Sequence, residues 1–141
     1  MVQLIVGEKG KGKTKYLLDK VNSAIKEAKG NIVYLDKSSK HMLELNNKIR
    51  LIDLSYYPLK NSDEFVVFVC GIISQDHDLE QMYYDSFLKI SCLEGNTEGI
   101  RDCVKKLEEI SGVFKVDFVL SVSMNKDELP EELSDNVIQA L

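Results

Sequence analysis

The stretch Val2-Gln3-Leu4-Ile5-Val6-Gly7-Glu8-Lys9-Gly10-Lys11-Gly12-Lys13-Thr14 runs from a short apolar segment into a loop of alternating glycine and charge. Val2 to Val6 has the length and composition of a buried strand. Beyond the loop, Leu17, Leu18, Val21, Ala24, Ile25 and Ala28 recur at helical spacing, so Lys13 to Lys29 reads as an amphipathic helix stopped by Gly30. Gly7, Gly12, Lys13 and Thr14 fill the pattern G-x-x-x-x-G-K-[ST], placed between that strand and that helix as its chemistry requires. Glycines let the backbone turn so that successive N–H groups point into one cavity, and the helix N-terminus adds partial positive charge. Such a loop is built for phosphate.

Further along, Asn31 to Leu35 and Ile49 to Leu54 read as strands, with a short helix near His41 to Leu45 between them. Asn61 followed three residues later by Glu64 is a capping-box signature, which predicts a helix from Ser62 to Ser74. A competing reading exists, because Phe65-Val66-Val67-Phe68-Val69-Cys70 is β-branched and aromatic enough for a buried strand. Glu80 to Tyr84 reads as a strand ending at Asp85, Thr97 to Ile110 as a helix and Lys115 to Ser121 as a last strand. Strand and helix alternate throughout, which predicts an α/β three-layer sandwich around a mainly parallel sheet.

The 141 residues, 44% of them apolar, suit one globular domain, 1–141. The longest apolar run, Phe65 to Ile73, has nine residues, half of what a membrane helix needs. No export signal opens the chain, so a cytoplasmic location is expected. Cys70, Cys92 and Cys103 form no C-x-x-C pair and read as reduced thiols. A net charge of -5 argues against nucleic acid as a partner, because phosphate backbones demand clustered Lys and Arg over a broad face.

In these features the chain resembles the P-loop NTPase superfamily, with the outline of a minimal RecA-like ATPase core and a distant likeness, mainly in the loop, to the much longer twitching-motility retraction ATPases. The resemblance implies a P-loop NTPase fold that binds ATP or GTP with Mg²⁺. Gly7, Glu8, Lys9, Gly10, Lys11, Gly12, Lys13, Thr14 and Lys15 would surround the phosphates, Lys13 reaching the β- and γ-phosphates and Thr14 ligating Mg²⁺. Lys9, Lys11 and Lys15 either raise the local potential or are plain loop charges. Partition-type ATPases would carry lysine where Glu8 stands. A guanine-reading N-K-x-D is absent, since Asn125-Lys126-Asp127 has the wrong spacing, so ATP is the expected nucleotide.

The superfamily also holds Mg²⁺ through an aspartate that ends a strand next to the loop strand. Asp85 is the first choice, then Asp53, then Asp36. Hydrolytic members follow that aspartate with glutamate, where this chain has Ser86. Ser121 and Ser123 are candidates for a polar γ-phosphate sensor, or are simply strand-end residues. The expected function is therefore ATP binding with slow hydrolysis coupled to loop switching or to a protein partner. A non-catalytic nucleotide-binding regulatory module is the alternative. A small-molecule kinase fits less well, because Arg50 and Arg101 are the only arginines for a cationic lid. Analogy with RecA-like domains implies a homo-oligomer. Asp76-His77-Asp78 reads as a solvated loop at the wrong sheet edge for a ligand, and His41 as a surface side chain. Tyr56-Tyr57-Pro58 either stacks on an adenine or packs against a helix.

Overall fold

Six strands, all running parallel, form the sheet of the computed structural model, which describes every residue from Met1 to Leu141. In chain order the elements are β1 (Val2–Val6), α1 (Lys13–Ala24), β2 (Asn31–Asp36), β3 (Arg50–Asp53), α2 (Ser62–Ser74), β4 (Leu79–Tyr84), α3 (Phe87–Ile90), α4 (Thr97–Phe114), β5 (Asp117–Val122) and β6 (Val137–Ala140), with four short 3₁₀ turns between them. The strands lie in the order β3-β2-β4-β5-β1-β6. No helix is long and apolar enough to cross a membrane.

Alternation along each strand divides the core in two. Leu4 and Val6, Val33 and Leu35, Met82 and Tyr84, and Phe118 and Leu120 face α2 and α4. Their neighbours Ile5, Ile32, Tyr34, Tyr83 and Val119 face the other way, onto Leu17, Leu18 and Val21 of α1. A sheet buried on both faces must be apolar at odd and even positions alike, which is why these strands read as continuous apolar runs. The result is the expected three layers.

Helix α2 occupies the range its cap predicts. The Asn61 side chain accepts from the Glu64 amide at 2.9 Å, and the Glu64 carboxylate reaches back to the Lys60 amide at 2.7 Å, one residue earlier than a standard box. The cap, together with Phe65, Val69 and Ile73 buried on one stripe, outweighs the β propensity of the segment.

Other expectations need correction. Helix α1 ends at Ala24, not Lys29, and Gly30 is not its stop signal. A Cβ on Gly30 would lie 2.0 Å from the Asp78 carbonyl oxygen, so glycine is there to let β2 enter beside the turn before β4. The Glu80 carboxylate locks this approach by accepting from the Lys29 and Gly30 amides at 3.1 and 2.7 Å. Elements α3 and β6, four residues each, have no counterpart in the sequence reading, because so few residues establish no periodicity. Helix α4 runs one turn beyond Ile110, and β5 starts two residues after Lys115, which takes left-handed torsions at the helix end (φ 58).

Candidate functional site

In a parallel sheet all carboxyl ends share one edge, and the loops that leave it meet over that edge. Here the glycine-rich loop leaves β1, the segment from Lys37 leaves β2, Ser86 and α3 leave β4, and Ser123 leaves β5. Together they enclose a cavity of about 730 Å³ whose lining includes Lys13, Thr14, Asp85, Ser86 and Ser121, with Leu88 the sole apolar member.

The loop itself is held from below. The Gly7 amide donates to the Met124 carbonyl at 2.9 Å, and Asn125 donates to the Glu8 carboxylate at 2.7 Å, so the segment after β5 braces the loop. A Cβ on Gly7 would come within 3.0 Å of the Leu141 carbonyl oxygen. Gly10 and Gly12 adopt φ values of 83 and 90, in the left-handed region that side chains avoid. The Lys11 amide donates to the Glu8 carbonyl, whereas the amides of Lys9, Gly10 and Gly12 find no acceptor in the protein. Those three donors, with the first turn of α1 behind them, are available to an anion.

Lys13 is only 7% exposed and folds over the loop to donate to the Glu8 carbonyl at 2.9 Å. Burial lowers its pKa, the Asp85 carboxylate opposes that shift, and Lys9 adds to it. An ammonium so placed gains from any anion that enters.

Asp85 is the hub of the site. At 2% exposure it accepts hydrogen bonds from the Thr14 hydroxyl (3.2 Å), the Ser121 hydroxyl (3.1 Å) and the Ser86 amide (2.8 Å) on Oδ1, and from the buried Tyr34 hydroxyl (2.9 Å) on Oδ2. Tyr34 has its pKa pushed up by burial and by that carboxylate, which fixes it as the donor. Ser86 adopts φ 53, a left-handed torsion that costs a non-glycine residue roughly 1 kcal/mol and here aims its amide at Asp85 and at the Ser121 hydroxyl.

The strand that ends at Asp85 is not the neighbour of β1, because β5 lies between them. Helix α1 packs across both β1 and β5, which carries its first turn towards β4. β5 presents the small Ser121 at the crossing, so Thr14 and Asp85 meet across it.

The other two aspartates differ sharply. Asp53 is half-buried, accepts from Ser39 at 2.8 Å and from the Ser55 amide and hydroxyl at 2.9 and 2.6 Å, and caps a 3₁₀ turn. The Ser55 hydroxyl leads in holding its pKa below the usual value. Asp36 is buried, 2% exposed, with Oδ1 accepting from the Lys37 amide at 2.7 Å and Oδ2 without any partner. Burial first, then the nearby Asp85, raises its pKa to about 6.

Of the predicted phosphate-contacting residues, Lys9, Gly10, Gly12, Lys13 and Thr14 line the cavity, while Gly7, Glu8 and Lys11 do not and Lys15 pairs outside with Asp19 at 3.3 Å. Ser123 joins Ser121 at the wall. His41, read as a plain surface residue, stands at the rim and contacts Glu44 at 3.2 Å. Tyr57 packs on Phe68 of α2, ring centroids 5.0 Å apart, in a separate groove, so no aromatic from that segment reaches the site. Asp76 ties down its turn by accepting from Asn31, at the opposite sheet edge.

Sequence reasoning did not single out Lys37, Lys40, Lys89 and Glu94, which complete the cavity wall. Lys37 and Lys40 follow the end of β2 and Lys89 follows the end of β4, a shared placement that becomes visible only once the sheet is assembled. Neither arginine is nearby: Arg50 lines the separate groove, and Arg101 pairs with Asp102 and Glu132.

The donor set is small, with no cluster of three or more His, Cys, Asp or Glu able to cage a metal. A hydroxyl and one carboxylate side by side suit a Mg²⁺ that takes its remaining ligands from phosphate oxygens and water. No protein-family model matches the chain, and no curated protein matches it in sequence.

Proposed function

We propose that this protein binds a nucleoside triphosphate, ATP, as its magnesium complex in the cavity above β1, β5 and β4, and hydrolyses it slowly. The carrying observation is the meeting of Thr14 and Asp85 at 3.2 Å beside the buried Lys13, beneath a loop whose amides of Lys9, Gly10 and Gly12 are unpaired. Two of the residues in that meeting belong to one sequence pattern, and the third arrives from another strand. A glycine-rich turn with solvated lysines accounts for neither the burial of Lys13 nor its field of partners.

The residues divide the work. The loop amides and the start of α1 would receive the β-phosphate, and Lys13 would exchange the Glu8 carbonyl for phosphate oxygens. Thr14 and Asp85 would hold Mg²⁺, which neutralises charge on the phosphates. Tyr34, Ser121 and the Ser86 amide keep the Asp85 carboxylate in one orientation, so that little order remains to be imposed when the ligand arrives. Asn125, occupied with Glu8 and with capping the turn at Lys126, is not free to read a guanine, which supports ATP over GTP. These features also support the resemblance to a RecA-like P-loop NTPase core.

Ser86 after Asp85 supports a second reading, a binding module without turnover. Calorimetric binding of Mg²⁺·ATP and steady-state phosphate release, each for wild type and Lys13→Ala, separate the two. Binding that Lys13→Ala abolishes, with turnover below about 1 s⁻¹ that is lost in the variant, is the expected result, the lower end of ordinary enzyme rates. Tight binding with no turnover leaves the module reading alone, and absence of binding removes both.

A further inference from the structure

Three lysines on the far wall of the cavity have no role in the account above. Lys37 follows β2, Lys40 lies three residues on, and Lys89 sits in α3 after β4, yet all three open onto the cavity that the glycine loop closes from the other side. The ion pairs of the protein use the N-terminal ammonium, Lys15, Lys106, Arg101 and His41, and none uses these three. In a chain of net charge -5, five lysines around one cavity face only two carboxylates among its lining, Asp85 and Glu94. Lys37 also lies in the field of Asp36 behind it. An excess of positive charge concentrated in a polar cleft attracts and orients a polyanion.

We infer that Lys37, Lys40 and Lys89 form a second phosphate-binding wall that engages the terminal phosphate, so that the site selects nucleoside triphosphates over diphosphates. The inference rests on the triphosphate reading of the loop. Its geometric basis is direction: the line from the loop through Thr14 to Asp85 runs from β1 across β5 towards β4 and β2. A phosphate chain seated in the loop and sharing a metal with Thr14 and Asp85 therefore extends its distal phosphate towards the segments that leave β4 and β2, where these lysines stand. The α- and β-phosphates, by contrast, stay with the loop amides and Lys13. A diphosphate would satisfy the loop and leave the far wall unmatched. Charges from this chain thus do what an arginine lid would do, and Arg50 and Arg101 can be elsewhere.

The test compares Mg²⁺·ADP with the Mg²⁺ complex of a non-hydrolysable ATP analogue, by calorimetry on the full chain. Exposed pairs of this kind change affinity by about threefold each, so the triple variant Lys37→Gln, Lys40→Gln, Lys89→Gln is expected to lose on the order of thirtyfold in triphosphate affinity. Its diphosphate affinity should change by less than about threefold, while Lys13→Ala weakens both ligands. Raising the salt from low to about 0.5 M should shrink the preference of the unmodified protein for triphosphate, a measurement that needs no variant. Equal losses for both ligands in the triple variant, or a preference indifferent to salt, would overturn the inference while leaving the loop reading intact. A wild-type protein that binds neither nucleotide would instead overturn the loop reading itself.

Discussion

Asp36→Asn should make the ligand-free protein more stable at neutral pH and leave it unchanged in acid. Asp36 is buried among the strand ends, its Oδ2 has no partner, and burial together with Asp85 raises its pKa from 3.8 to about 6. A carboxyl whose pKa is higher folded than unfolded favours folding while protonated, below pH 4, and loses that contribution as pH rises to 6. Above pH 6 the folded protein carries a buried charge it would do better without. The displacement corresponds to about 3 kcal/mol at 1.36 kcal/mol per pKa unit, an upper figure that relaxation around the charge reduces to roughly 1 to 3 kcal/mol. Asparagine keeps the shape, retains an oxygen for the Lys37 amide and removes the buried negative charge. The assay is urea unfolding from pH 4 to 8 in the presence of a chelator, with the slope m checked for constancy. The variant should match wild type at pH 4 and exceed it by roughly 1 to 3 kcal/mol at pH 7.5, the gain developing between pH 4 and 6. A variant less stable than wild type at pH 7.5, or a difference independent of pH, would refute the reasoning.

Gly30→Ala should destabilise by about 3 kcal/mol or more, because the new Cβ lies 2.0 Å from a backbone oxygen that cannot rotate away; thermal melting checks it. Gly112→Ala, in the last turn of α4 with nothing within 4 Å of the added atom, should instead stabilise by roughly 0.5 kcal/mol in the same experiment. Tyr34→Phe deprives the buried Asp85 Oδ2 of its donor and should cost about 1 to 3 kcal/mol in urea unfolding.

What the sequence discloses here is local chemistry. Gly7 to Thr14 and the Asn61 cap of α2 are short-range signals, in which the residues that cooperate lie within eight positions of one another. Asp85 was legible as a polar residue ending an apolar strand. The order of strands was not, and with it went the neighbour of β1, since nothing in Asp117 to Val122 marks that strand for insertion between β1 and β4. Tyr34 read as one more apolar strand residue, and its bond to Asp85, 51 positions away, exists only once β2 pairs with β4. Gly30 illustrates a subtler failure: a glycine after a helix has two physical uses, and the Asp78 carbonyl that decides between them is distant in the chain. Lys37, Lys40 and Lys89 are ordinary surface lysines until the shared carboxyl edge of the sheet assembles them.

The most direct test of the central claim is a crystal structure of the protein with Mg²⁺ and a non-hydrolysable ATP analogue. The β-phosphate is expected against the amides of Lys9, Gly10 and Gly12, the Lys13 ammonium moved from the Glu8 carbonyl onto phosphate, and the metal between Thr14 and Asp85. A nucleotide bound elsewhere, or a loop that stays empty at saturating nucleotide with Lys13 still on Glu8, would contradict it.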